Sequence, residues 1–447
     1  MNLHKGKVDT NIVHLGIRPH GLEVMNLNSN VIFIATYDTK GIESEFIKKK
    51  IEEYGSKCTT VDVGIGDNPT IIADITVSDL CKGTTHTVDS IHSMPRGEAV
   101  KFISDQVEKY VKEIYKKGEM TTIIGIGGAG GTQIVTQSMR SLPFGLPKLM
   151  LSTLASGNTR WYVEESDICM MPSIADVAGL NCITEIVFDR FAALAAKAAQ
   201  WYADQFEAYA IKLVDKSVLR IGLTMYGTTT KGVTNARIEL EQKGYETLVF
   251  HASGAGGRAM ENFMRDGVIH GVLDMTIAEI GGYLVGGLHN AGPHRLEAAI
   301  EKGIPMVLVP GAADTIVLPP MSDLPDKFKS GRVLNFHNPT MTTMRTNVEE
   351  NIQIAEYIVS KLKSASSPVI IFIPKGGLSS IDKQGGKFYM PEANEALFTT
   401  LKKGLAGTKV QIIEDERHLY DEGFGAAAAD LLDQMMKQFY KDSEEAM

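Results

Sequence analysis

Ile123-Ile124-Gly125-Ile126-Gly127-Gly128-Ala129-Gly130-Gly131-Thr132 decides the fold. An apolar, β-branched run meets a cluster of glycines and gives way to a helical pattern, which reads as strand, tight turn and helix. The stretch matches G-x-G-x-x-G. Glycines at such a turn let backbone N–H groups approach an anion at the positive end of the helix, and Thr132 adds a hydroxyl. Gly127, Gly128, Gly130, Gly131 and Thr132 are therefore candidate ligands of a phosphate or carboxylate. Glycine is equally the default residue where a helix must pack closely on a strand. A dinucleotide reading is weaker, because the loop follows the third predicted strand and no acidic residue stands about 20 positions beyond it. G-x-x-x-x-G-K-[ST] occurs nowhere in the chain, so P-loop chemistry is not indicated.

Outward from this loop, short β-branched runs alternate with longer helical patterns, the signature of a parallel sheet wrapped by helices. Strands are expected at 31–35, 58–63, 121–126, 148–153 and 167–171, with helices at 42–54 and 97–117 stopped by Gly55 and Gly118. An Ala-rich helix over about 183–213 leads to further strands near 218–225, 246–250, 270–274, 305–309, 332–336, 368–373 and 408–413. The expected fold is α/β: two doubly wound open-sheet domains, 30–213 and 214–447, with a cleft between them. Residues 1–29 show no regular pattern and are assigned to an N-terminal extension without chemistry. The last helix, 424–440, places Phe424, Ala428, Leu431, Leu432, Met435 and Phe439 at helical spacing, as a core-facing helix does. A short repeat, Thr39-Lys40-Gly41 and Thr230-Lys231-Gly232, follows the first strand of each half.

The 447 residues carry a formal charge of −9, which argues against intrinsic affinity for nucleic acid or anionic lipid. No run of about 18 apolar residues signals a membrane span, and the N-terminus does not read as a secretory signal. The 4 cysteines, Cys58, Cys81, Cys169 and Cys182, form no C-x-x-C pair, which fits a reducing cytoplasm better than a disulfide framework or a thiolate metal site. His289 and His294 lack the helical i,i+4 spacing of a zinc pair, so no metal is expected.

In open α/β sheets ligands bind at the carboxyl ends of the strands. The loops expected there are polar or glycine-rich. In the first domain they offer Thr36, Asp38 and Lys40; Asp62, placed to meet a ribose; Ser152, Ser156 and Gly157; and Asp176 and Asn181. In the second, Gly256, Gly257 and Arg258 open a helix and form a candidate substrate-anion site. Glu261, His337 and Arg345 are candidate catalytic groups, two for proton transfer and one as an anion clamp. Asp314 after Gly311-Ala312-Ala313, and Lys375-Gly376-Gly377-Leu378-Ser379-Ser380 with Asp382, form further loops of the same kind.

Across most of 31–447 these loops resemble the Tm-one-like ATP-binding domain family. The resemblance rests on Thr36-Tyr37-Asp38-Thr39-Lys40-Gly41, Gly127-Gly128-Ala129-Gly130-Gly131-Thr132, Pro147-Lys148, Ser152-Thr153-Leu154-Ala155-Ser156-Gly157 and Asp176-Val177-Ala178-Gly179-Leu180-Asn181. It continues through the stretch from Phe250 to Glu261, then His337-Asn338-Pro339 and Met344-Arg345-Thr346. Near the C-terminus the family's Asn-Asp-Pro motif is replaced by Tyr420-Asp421-Glu422-Gly423-Phe424, where Asp421 and Phe424 carry over. The resemblance implies two Rossmann-like domains, a nucleotide site in the N-terminal half, a homodimer, and a TIM-barrel partner protein in some relatives.

The function expected is binding of ATP or another nucleotide, with or without Mg²⁺, its phosphates held by the glycine loops of the first domain. The alternative is a hydrolase or lyase of small-molecule metabolism, acting on a phosphorylated or carboxylated substrate in the interdomain cleft.

Overall fold

The computed structural model describes residues 28–445 apart from Asp67, Asn68, Thr70 and Lys216, with side chains to Lys441. Most of the expected extension, 1–27, lies outside the described residues. The chain divides into two compact units at Val214/Asp215, one residue beyond the expected boundary.

The first domain contains β1 (Asn30–Ala35), α1 (Tyr37–Glu53), β2 (Lys57–Asp62), α2 (Val77–Leu80), α3 (Val88–His92), α4 (Arg96–Lys117), β3 (Thr122–Gly127), α5 (Ala129–Arg140), β4 (Lys148–Ser152), α6 (Arg160–Val163), β5 (Ile168–Pro172) and α7 (Cys182–Val214). Its strands are all parallel, in the order β2-β1-β3-β4-β5. Both faces of the sheet are covered at its centre, so β1 and β3 are buried along their whole length and read as near-continuous apolar runs rather than alternating ones. Val31, Phe33 and Ala35 face Ile47 and Ile51 of α1 and Phe188, Phe191 and Ala195 of α7. Ile32 and Ile34 face the other way, toward Ile103, Val107 and Val111 of α4 and Ile134 and Val135 of α5. Gly125 lets α5 lie close on β3, since a Cβ there would sit 2.5 Å from Val135 Cγ1.

The second domain contains β6 (Arg220–Met225), α8 (Thr230–Gln242), β7 (Glu246–His251), α9 (Ala255–Arg265), β8 (Gly271–Asp274), α10 (Ala278–Val285), α11 (Ala298–Lys302), β9 (Met306–Leu308), β10 (Thr315–Leu318), β11 (Leu334–Asn338), β12 (Met341–Arg345), α12 (Val348–Leu362), β13 (Val369–Pro374), α13 (Pro391–Gly404), β14 (Gln411–Asp415) and α14 (Phe424–Glu445). Its main sheet is parallel in the order β14-β13-β9-β8-β6-β7. Counted from the first strand, each domain sets its second strand on one flank and its third on the other. The two domains are therefore Rossmann-like α/β units of one plan. The Thr-Lys-Gly repeat falls at the first helix of each, where Gly41 and Gly232 sit against Ile71 and Leu419.

One expectation is corrected. The strand read at 332–336 does not join the parallel sheet. It is β11, the edge of a separate antiparallel sheet of order β10-β12-β11 inserted between β9 and α12. Helix α14 packs as its periodicity requires, with Phe424, Ala428, Leu432 and Met436 buried and Phe424 stacked on Phe372 at 4.7 Å.

Candidate functional site

In the first domain the chain leaves β1 toward β2 and returns to β3 on the other flank, so the crevice beyond the ends of β1 and β3 is the switch point where such sheets take ligands. Helix α5 starts there. Gly128 is its N-cap and supplies no side chain, and the first helical bond is Thr132 N–H to Gly128 O at 2.9 Å. The N–H groups of Ala129, Gly130 and Gly131 have no acceptor among the described residues. A helix of 12 residues adds the positive end of its dipole, equivalent to roughly half a charge. A Cβ on Gly128 would approach nothing nearer than Thr153 Oγ1 at 3.7 Å, and one on Gly130 nothing nearer than Arg96 Nη2 at 3.6 Å. The site is thus uncapped, roomy and flanked by a guanidinium that sequence reasoning missed. Arg96 opens α4, far from any glycine motif, and nothing in its neighbours signals the contact.

Beside α5, the start of α1 is already filled. Tyr37 N–H donates to Asp62 Oδ1 at 2.9 Å, and Gly64 N–H donates to the same oxygen at 2.8 Å. Burial pushes the Asp62 carboxyl up, against the pull of these two amides. Asp62 is the carboxylate of the α1 N-terminus, which removes the reason for assigning it to a ribose.

Most of the other expected ligands hold the loops together. Asp38 Oδ2 accepts Gly66 N–H at 2.9 Å, and Thr36 Oγ1 lies 3.1 Å from Thr39 Oγ1. Lys40 interrupts the helical geometry of α1 (φ −134°, ψ 23°) and donates to Val177 O at 2.6 Å, so its ammonium braces the loop after β5. Asn181 Oδ1 caps α7 by accepting the N–H groups of Ile183 (3.0 Å) and Thr184 (3.1 Å). Asp176 is exposed and accepts its neighbour's Val177 N–H at 2.8 Å. Thr132 and Ser152 are buried with their hydroxyls 2.7 Å apart, beneath the glycine loop rather than facing outward. Ser156 and Gly157 are exposed at the tip after β4. The β-branched Ile174 holds a left-handed backbone (φ 64°) at the same edge with 77% of its surface exposed, an uncommon conformation found where structure imposes it.

The second domain repeats the glycine loop but fills it from within. Gly254 N–H donates to Glu279 Oε1, as does Gly257 N–H at 3.1 Å, so the anion at the start of α9 is the chain's own carboxylate. The glycines permit that approach: a Cβ on Gly257 would lie 1.9 Å from Glu279 Oε2, and one on Gly256 1.9 Å from His251 O. Arg258 Nη1 donates to Asn290 O at 3.1 Å. The candidate substrate-anion site at Gly256, Gly257 and Arg258 is corrected accordingly.

Glu279 belongs to a buried cluster around Arg295, which is 1% exposed. Arg295 donates to Glu279 Oε2 at 3.0 Å, Glu261 Oε1 at 3.1 Å and Asp274 Oδ2 at 2.8 Å. Burial pushes the Glu261 and Glu279 carboxyls up, while Arg295 pulls them down. Glu261 also accepts Leu296 N–H at 2.7 Å and Ala298 N–H at 2.8 Å, which makes it a structural anchor rather than an acid–base group. Arg345 is likewise internal: it donates to Phe388 O (2.7 Å), Thr346 O (2.9 Å) and Asn394 Oδ1 (2.7 Å), so it is not available as a clamp for a substrate. His337 is exposed at the irregularity between Phe336 and Asn338 on edge strand β11. The rings the fold does bring together at the ligand edge are Tyr226, His251 and His289. Their centroids are 6.2 Å (Tyr226–His251), 5.7 Å (Tyr226–His289) and 6.4 Å (His251–His289) apart.

Fold and site define a two-domain α/β protein in which the start of α5 meets no side-chain cap, while the starts of α1 and α9 are filled by the chain's own carboxylates. The chain belongs to the Uncharacterised protein family (UPF0261): the model of that family's N-terminal domain matches residues 29–204, and the model of its C-terminal domain matches 219–436. A UPF0261 protein of Clostridium tetani is 43% identical over 92% of this chain and 100% of its own length. The ToMV resistance protein Tm-1 of Solanum lycopersicum is 34% identical over 90% of this chain, which spans 55% of that protein. Among solved structures, UDP-GlcNAc 2-epimerase from Neisseria meningitidis bound to UDP-GlcNAc matches 62% of this chain and 82% of its own at 11% identity, with a TM-score of 0.20. At that score neither its ligand nor its chemistry transfers. No described helix is long and apolar enough to cross a membrane.

Proposed function

We propose that this protein binds ATP or a related nucleotide through its first domain, with the phosphates on the N–H groups of Ala129, Gly130 and Gly131. The observation that carries this reading is the uncapped start of α5 at the β1/β3 switch point. A helix start whose N–H groups meet no side chain is a ready anion site. Arg96, beside Gly130, supplies the formal cation that the sequence reading sought in Lys40. The family resemblance supplies the identity of the nucleotide; the geometry alone argues only for a phosphate or carboxylate.

A calorimetric and thermal-shift screen tests the reading, using ATP, ADP, GTP, NAD and small phosphorylated or carboxylated metabolites, each with and without Mg²⁺. ATP at about 100 times its Kd would add about 2.7 kcal/mol of stability. Stabilisation by a metabolite and not by ATP would replace the nucleotide with that substrate anion. No stabilisation by any of these anions would remove the site.

A further inference from the structure

We propose that Asp314 and Asp382 of the second domain share a single proton, and that its loss loosens the loop 375–382 at the ligand-facing edge of the sheet. Both side chains are buried, at 0% and 1% exposure. One oxygen of each is satisfied. Asp314 Oδ2 accepts Ser379 Oγ–H at 2.7 Å and Thr315 Oγ1–H at 3.2 Å, while Asp382 Oδ2 accepts Leu378 N–H at 2.9 Å and Asn394 Nδ2–H at 2.7 Å. The other oxygen, Oδ1 in both residues, has no hydrogen-bond partner among the described residues. Adjacent residues of one turn hold the two acids, and Asp382 N–H closes that turn on Ser379 O at 2.9 Å.

The surroundings supply too little positive charge for two carboxylates. Arg345, at the end of β12, reaches Asp382 Oδ1 only at 3.9 Å, and its donors point at carbonyls, at the Thr346 hydroxyl and at Asn394. From the loop after β14, His418 has both ring nitrogens taken up by backbone groups: Nδ1 accepts Tyr420 N–H at 2.9 Å and Nε2 lies 3.0 Å from Ser379 O. Just beyond β6, Tyr226 contributes only a buried phenol whose ionisation is opposed by burial and by Asp314. Two buried carboxylates beside one guanidinium leave one charge unbalanced, and a single proton both removes that charge and provides the missing donor. The Asp314 carboxyl is pushed up to about 6, first by burial and then by Asp382, against the pull of Arg345.

The loop has reason to respond. Ala312, two residues before Asp314, is buried in a left-handed backbone (φ 55°) and donates its N–H to Leu378 O at 2.9 Å. Ser380 N–H holds Thr228 O at 2.9 Å, which links the loop to the end of β6. When both acids ionise, repulsion acts on the turn that keeps these contacts.

The experiment follows the full chain across about pH 4–8 by thermal unfolding and by hydrogen exchange of the 375–382 amides, beside Asp314→Asn and Asp382→Asn. Wild type is expected to lose stability, and the loop to exchange faster than in the variants, as pH rises through about 6. Asp314→Asn should be flat there, and Asp382→Asn should keep only a shallower slope, because burial still holds Asp314 up while the neighbouring like charge is gone. A purely structural role would shift stability equally at every pH. Folded variants that keep the wild-type slope, or a wild type without one, would overturn the proposal. Should the variants not fold, the infrared band of a protonated carboxyl in wild type decides: present at the acid end and lost at the alkaline end supports it, and absence throughout overturns it.

Discussion

Replacing Arg295 by Met tests how the second domain tolerates its buried acids. The guanidinium sits within 2.8–3.1 Å of Asp274, Glu261 and Glu279, all 0–2% exposed. Met fills much of the volume and removes the charge. Breaking one buried pair by deleting a partner costs about 3–5 kcal/mol, because the remaining charge stays buried. Here three acids lose one common partner, and the start of α9 loosens as well, since Glu279 holds Gly254 and Gly257. The loss is a large fraction of the roughly 5–15 kcal/mol that stabilises a domain.

The pH dependence gives the sign. Burial already holds the Glu261 and Glu279 carboxyls above their ordinary range, with Arg295 opposing it. Without Arg295 they rise further, so the folded state binds more protons than the unfolded chain over a wider interval, and stability falls as pH rises through it. Arg295→Met should therefore destabilise the second domain most near neutrality and recover toward acid, while the first domain keeps its own transition. Calorimetric unfolding at a series of pH values measures this. A loss under about 1 kcal/mol with the wild-type pH profile would refute the view that Arg295 balances the cluster.

Gly125→Ala should cost about 1–3 kcal/mol in denaturant unfolding of the first domain, because its Cβ would lie 2.5 Å from Val135 Cγ1. Asp62→Ala leaves the N–H groups of Tyr37 and Gly64 unpaired and should cost a similar 1–3 kcal/mol. Its effect on nucleotide affinity should be small, and a large loss of affinity without loss of stability would return Asp62 to the ligand. For Asp314→Asn, the carboxyl removed is raised from 3.8 to about 6. Wild type therefore loses about 3 kcal/mol between those values as pH rises, and the variant should lack that loss.

The central strands were legible because they are buried on both faces of their parallel sheets. Val31–Ala35 and Ile123–Ile126 contain no polar residue to blur them, and Gly118 ends α4 in the left-handed conformation its position suggests (φ 77°). Strand partners were less legible: Leu334–Asn338 has strand composition, but nothing local says that it pairs with Met341–Arg345 instead of the parallel sheet. The start of α5 could be read from its glycines. Its near twin at α9 could not be distinguished from it, because the carboxylate that fills α9 arrives from Glu279, on another element. Asp62 and Asn181 were misread for one reason: an acceptor at a strand end or helix start serves a ligand and a backbone amide equally well, and only coordinates show which it meets.

The central claim is that the start of α5 holds the phosphates of a nucleotide, and titration calorimetry of ATP into wild type, Gly130→Val and Arg96→Ala tests it most directly. Neither substitution touches the core: a Cβ at Gly130 meets only Arg96, at 3.6 Å, and Arg96 is exposed. The account predicts that wild type binds, that Gly130→Val does not although it unfolds like wild type, and that Arg96→Ala binds about 10–100-fold more weakly, the loss of a charged hydrogen bond. Equal affinity in all three proteins would contradict it.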